Sequence, residues 1–279
     1  MKSNNPVFSR SEEFNRGSAN AYGNQTYPGA GASDPSTWGT GTPGEVDDRR
    51  MTIDSVVQKT AISIFVVFAT AFATWWWIGE IVNANVIDNE ALSRAMTLAL
   101  VGSGGAFLLS LANSFKRVIS PALVILFAAA EGVALGAISK YFDAQFDGIV
   151  TQAVLGTFAA FAGTLAAYKF FDIKVGNKFR TFVIAGMFGM VGLGLLSLVL
   201  SFFGISTGLY GNGPLGLIFA IAGLVLGVFM LILDFDFVEN GVAAGLPERE
   251  SWRAAFGLTV SLVWIYTNLL RILAIVRGD

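Results

Sequence analysis

Residues 215–238 read Leu-Gly-Leu-Ile-Phe-Ala-Ile-Ala-Gly-Leu-Val-Leu-Gly-Val-Phe-Met-Leu-Ile-Leu-Asp-Phe-Asp-Phe-Val, with no charged side chain before Asp234. As a helix rising about 1.5 Å per residue, this run crosses the roughly 30 Å of a bilayer's hydrocarbon core. A buried parallel strand would be far shorter, and an open sheet cannot leave its edge groups unpaired in lipid. The stretch is therefore a transmembrane helix, and the chain must supply companions for it.

Six further runs of comparable character lie around it. In chain order the seven span approximately 56–78, 92–112, 119–139, 149–168, 179–203, 215–238 and 254–276. Short connections join them, so no large soluble domain is inserted between spans. The expected fold class is all-α, a polytopic seven-transmembrane-helix bundle over residues 51–279. Residues 1–50 are rich in Gly, Ser, Asn and Pro and are expected to be a disordered cytoplasmic tail. Lys2 is followed by mostly polar sequence, unlike a cleavable signal, so the first span is expected to be an uncleaved helix.

Composition agrees: 54% of residues are hydrophobic and only 14% charged, more apolar surface than one soluble domain can hide. A net charge of −2 lacks the basic excess of a nucleic-acid binder, so no nucleic-acid partner is expected. With no Cys and no His, disulfides, thiolate nucleophiles, imidazole bases and the usual zinc and haem ligands are excluded. Any chemistry must run on carboxylates, Lys, Arg, hydroxyls and backbone.

Basic residues fall mostly on one side. Arg49, Arg50, Lys59, Lys116, Arg117, Lys169, Lys174, Lys178, Arg180, Arg249 and Arg253 share the N-terminal side, against Arg94, Lys140, Arg271 and Arg277 opposite. The positive-inside rule then gives a multi-pass protein of the cell membrane with a cytoplasmic N-terminus and an outer C-terminus. Trp75, Trp76 and Trp77 fall where an interfacial aromatic belt belongs. Glycines recur at helix-packing spacing in Gly102/Gly105, Gly132/Gly136, Gly186/Gly189 and Gly223/Gly227, which predicts a compact bundle.

Acidic residues inside spans are costly and are the candidate sites. Asp234 and Asp236 stand two residues apart, about 200° around a helix, and point in nearly opposite directions. Asp234 shares the face of Met230, Gly227 and Gly223 and is expected inside the bundle, as an ion or proton site or as an ordinary structural ion pair. Asp236 shares the bulky face of Ile232, Phe229 and Val225, near Glu239, and is expected to be a solvated group at the helix end. Glu131 lies about 18 Å into the third span by helical rise, with Asn268 of the seventh at similar depth and available as a hydrogen-bond partner. It is either a functional acid or a protonated tie between helices. Lys116 and Arg117 are either topology determinants or a latch for Asp234. Desolvation favours the protonated form of a carboxylate and a cation the ionised form, so a latched acid can alternate between the two and rearrange a helix with pH.

Three segments, Glu131-Gly-Val-Ala-Leu-Gly136, Ile232-Leu-Asp234 followed by Gly241, and Asn268-Leu-Leu-Arg271, occur in an order and placement that resemble the Bax inhibitor-1 family in its bacterial branch. The resemblance covers about residues 55–277. It implies a pH-sensitive calcium leak in which an aspartate pair between the sixth and seventh helices is the sensor and a basic residue near the second helix the latch. Asp234 matches the first aspartate, and Lys116 or Arg117 stands in for the latch. Alignment on Asn268 puts Ile265 where the second aspartate belongs, so this chain lacks the dyad. Ser261 and Asn268 share the face of Ile265 and are candidates to hydrogen-bond Asp234; otherwise Glu131 supplies the second acid, or pH gating is absent.

Three function classes follow. The first is a cation or calcium leak channel gated at Asp234, and the second a regulatory protein that binds another membrane protein without conducting. The third, an enzyme, is not expected, because serine chemistry has no His base, with only a Lys formally available, and an aspartyl protease needs two converging carboxylates. An ion-coupled transporter stays open, although no internal repeat supports it. The expected partners are the lipid bilayer, with calcium ions and other membrane proteins as candidates; no cofactor is expected and a metal site is left undetermined.

Overall fold

A computed structural model describes residues 49–83 and 86–278. Seven helices cross it: α1 (Ile53–Ile78), α2 (Asn89–Phe115), α3 (Pro121–Asp143), α4 (Ile149–Phe170), α5 (Asn177–Phe202), α6 (Pro214–Ala243) and α7 (Glu250–Gly278). Each is long and apolar enough to span a membrane. The only sheet among the described residues is a two-residue antiparallel ribbon, β1 (Val82–Asn83) with β2 (Val86–Ile87), between α1 and α2. The all-α expectation holds, and the chain is an integral membrane protein.

Polar residues cap the first two helices just outside their apolar runs. Thr52 precedes α1 and forms a capping box with Ser55, each side chain accepting from the other's backbone N–H at 3.1 Å. Asp88 accepts from the N–H groups of Glu90 and Ala91 at the start of α2. Pro121 and Pro214 open α3 and α6, where a missing N–H costs nothing.

Helix α7 is the hub, packed against α1, α3, α4 and α6; α3 in turn carries α1 and α2. The periphery belongs to α5, which leans chiefly on α6 and has a single buried residue, Val183, wedged against Leu226 and Met230.

The glycine spacing decides which helices touch. A Cβ on Gly102 would lie 2.7 Å from the backbone of Ala134, seating α2 on α3, and one on Gly132 or Gly136 would strike α1 at Thr70 or Ala71. On α6, Gly223 and Gly227 receive α7 side chains. Gly105 and Gly189, expected at packing faces, instead open onto empty space. Each pair is thus used according to whether a neighbouring helix lies opposite it.

The expected disordered tail lies outside the described residues except for its last two, and these are structured. Arg50 forms a β-bridge with Pro247, Glu248 N–H donates to Arg49 O at 2.9 Å, and Met51 N–H donates to Leu246 O at 2.7 Å. The entry to α1 is therefore stitched to the α6–α7 connection.

Candidate functional site

Near its C-terminal end α6 presents three acids, and each is taken by a different helix. Asp234 faces α7, where the Ser261 hydroxyl donates to its Oδ2 at 2.5 Å. Asp236 faces α5 and is held by Arg180 Nη2 at 3.0 Å. Glu239 faces α4 and accepts from the Tyr168 hydroxyl at 2.6 Å. Around the helix Asp234 stands well apart from the other two, whereas Asp236 and Glu239, three residues apart, share a broad face that borders both α5 and α4.

Asp234 enters the bundle as its glycine face implies. It closes a seam in which α6 and α7 approach on small residues from both sides. A Cβ on Gly257 would lie 2.7 Å from Asp234 Oδ1 and one on Gly227 the same distance from Ile265. Gly223 receives Asn268, and the Trp264 indole N–H donates to Gly223 O at 2.8 Å. Among the described residues no Lys or Arg pairs with Asp234. Ser261 is thus its partner, one of the two candidates on the face of Ile265. Asn268 instead donates to Trp264 O one turn back, at 2.8 Å.

Several expectations need correction. Asp236 is not a solvated helix end: it is 7% exposed, because Arg180 closes over it from α5. The bulky face that suggested solvent is the face α5 covers, through Phe179 edge-on to Phe229 at 5.4 Å. Lys116 and Arg117 do not latch Asp234. The Arg117 carbonyl accepts from Arg253 Nη2 at 3.0 Å, which ties the α2–α3 connection to the start of α7.

Nor does Asn268 meet Glu131, which makes no hydrogen bond or ion pair among the described residues. Asn268 looks toward α6, whereas α3 packs on the opposite side of α7 through Tyr266 and Leu270; the Tyr266 hydroxyl shares a 2.6 Å bond with Ser139 of α3. Residues 266 and 268 are about 200° apart, so no rotamer of Asn268 serves both neighbours. Glu131 and Asp234 share no bond among the described residues; the side chain that meets Asp234 is Ser261. Ile265, at the position of the missing aspartate, is fully buried against Gly227.

Sequence reasoning passed over Arg180 and Lys59, which were counted only as topology signals. Lys59 is 9% exposed and binds Glu248 of the α6–α7 connection through both its carboxylate (2.9 Å) and its carbonyl (3.1 Å). Its place one turn inside an apolar run was the available signal, since a cation there needs a partner. On the far side, Arg271 stacks on Tyr210 at 4.7 Å and donates to Leu209 O at 2.9 Å, pinning the α5–α6 connection to α7.

A bundle of seven helices, each long and apolar enough to span a membrane, with a part-buried carboxylate between two of them, defines a polytopic membrane protein. The chain belongs to the Bax inhibitor 1 like family, whose model matches residues 5–278. That match reaches well into the N-terminal region, which the motif-based resemblance had left out. No curated protein matches the chain.

Proposed function

We propose that the protein is a cation leak of the cell membrane, with calcium as the candidate ion, gated at the α6–α7 seam with Asp234 as the switch. The observation that carries this reading is Asp234 itself: a carboxylate within the bundle, bound to a neutral hydroxyl, in contact with the close-approach glycine of α7, and without a cation partner among the described residues. Intramembrane acids of this kind mark ion and proton paths. Ionised, the carboxylate accepts from Ser261 and offers a charge to a passing cation; protonated, it offers none. Change of charge at this point alters the contact that holds α6 to α7.

Because Ile265 replaces the second acid, the switch is a single carboxylate and not a coupled pair, so its pH response follows one titration step. The cytoplasmic placement of the N-terminus follows from the basic residues gathered on that side.

A second reading, a regulatory protein that binds another membrane protein without conducting, draws on α5, whose apolar surface is almost wholly uncovered by the rest of the chain.

Calcium flux into proteoliposomes, measured from mildly acidic to mildly alkaline pH, separates the two. The leak predicts flux that varies with pH in the wild type and loses that variation in Asp234→Asn. No flux at any pH would remove the leak and leave the interaction protein.

A further inference from the structure

Helices α1 and α4 both pack on α7, yet they do not pack closely on each other. Between them runs an open cleft of about 1520 Å³, floored by α7 side chains such as Leu262 and Tyr266. Along α1 it extends from Ile53 to Trp75, about 33 Å by helical rise and so close to the full depth of the hydrocarbon layer. Its walls are apolar through the middle, where the stacked rings of Phe68 and Phe158, 6.5 Å apart, form a bridge across it. Charged groups appear only at its two mouths.

The mouths differ in charge once internal ion pairs are counted. On the N-terminal side, Asp172 is paired with Lys174 at 3.4 Å, while Glu239 accepts from the neutral Tyr168 hydroxyl at 2.6 Å and keeps its charge. Lys169, exposed at the same mouth, forms no hydrogen bond or ion pair among the described residues. On the far side, Lys140 is taken by Glu80 at 3.2 Å, while Asp143 meets only the backbone N–H of Gly148 and Asp147 makes no side-chain bond among the described residues. One mouth thus holds a lysine without an ion-pair partner against a single carboxylate, and the other holds two carboxylates without a cation.

We infer that the α1–α4 cleft is a binding site for an anionic phospholipid of the leaflet on the N-terminal side, with an acyl chain along the apolar wall and the headgroup phosphate on Lys169. An acyl chain suits a wall that offers packing but few hydrogen bonds, and it reaches the cleft sideways from the bilayer without crossing water. A long lysine stem carries its ammonium to headgroup level from the end of a span. The free carboxylates at the far mouth disfavour an anionic headgroup there, which gives the site its leaflet preference.

Native mass spectrometry of the full chain, purified in mild detergent and supplied with equal dioleoyl phosphatidylglycerol and dioleoyl phosphatidylcholine, tests the assignment. Wild type is expected to retain one phosphatidylglycerol in preference to phosphatidylcholine. Lys169→Gln, at an exposed position, should reduce that preference about fivefold, the share of one basic residue at an anionic headgroup. Ala61→Trp, which fills the cleft from an exposed position on α1, should abolish retention of both lipids, while Leu196→Trp on the uncovered face of α5 should leave it intact. A wild type that shows no preference between the lipids, or retention unchanged by both Lys169→Gln and Ala61→Trp, overturns the site. Because Lys169→Gln leaves the cleft itself unaltered, it decides the question even where Ala61→Trp fails to fold. None of these outcomes bears on whether calcium passes the α6–α7 seam.

Discussion

The seam between α6 and α7 and the cleft between α1 and α4 lie on two sides of the same central helix, and they are built on opposite rules. In the seam, glycines on both helices leave room for the partner's side chains, and a serine, a tryptophan and an asparagine settle there in hydrogen bonds. In the cleft α1 and α4 face each other with mostly apolar side chains and with the small Thr60, Ala61, Thr151 and Thr157, and the ring pair of Phe68 and Phe158 reaches across. Lipid tails are as apolar as the helices, so helices in a bilayer associate by close packing and polar contacts, not by escape from solvent. Where glycines receive the partner's side chains and hydrogen bonds cross between the helices the backbones close; where no such contact forms a gap of lipid dimensions remains.

That contrast can be broken most severely at Gly227. Gly227→Leu drives a side chain into Ile265 and Trp264 and should destabilise the fold by about 3 kcal/mol, read from unfolding in mixed micelles with increasing dodecyl sulfate. An unchanged transition would mean that the seam is not close-packed. Next comes the clasp between α5 and α6. Arg180→Gln should cost about 1 kcal/mol in the same assay, a figure reduced because Arg180 is half exposed, and should loosen α5 without unseating α7. Protease accessibility or spin labels on α5 would register that selectivity, whereas an equal response from every helix would show that α5 is not separately held. The smallest effect is expected at the cleft, where Phe158→Ala should shift stability by no more than about 0.5 kcal/mol, because the lost ring contact faces lipid on both sides. A large loss there would show that the cleft wall is a packed interface after all.

The seven helices were legible in the sequence because each carries an uninterrupted apolar run of membrane length, and their ends were less so because capping residues such as Thr52 and Asp88 lie outside those runs. The inward turn of Asp234 was legible because helical spacing ties it to Gly223 and Gly227. Asp236 was misread for a related reason: a bulky face says that something large lies opposite, not whether it is lipid, solvent or a helix with an arginine one turn in. Glu131 and Asn268 matched in depth but not in azimuth, and depth alone is what a linear count provides. Which of Lys59, Lys116, Arg117 and Arg180 finds a carboxylate depends on which helices are neighbours, and that is a property of the assembled bundle.

The short β-bridge that joins Arg49–Met51 to the α6–α7 connection, reinforced by Lys59 on Glu248, gives the molecule a mechanical linkage. It acts as a tie rod from the turn that joins the two seam helices to the head of α1, and α1 is one wall of the cleft. A displacement of that turn is delivered to α1 as a pull, and a wedge that pushes α1 outward returns the load to the turn. The turn between the seam helices and the α1 wall of the cleft are therefore held by one set of bonds.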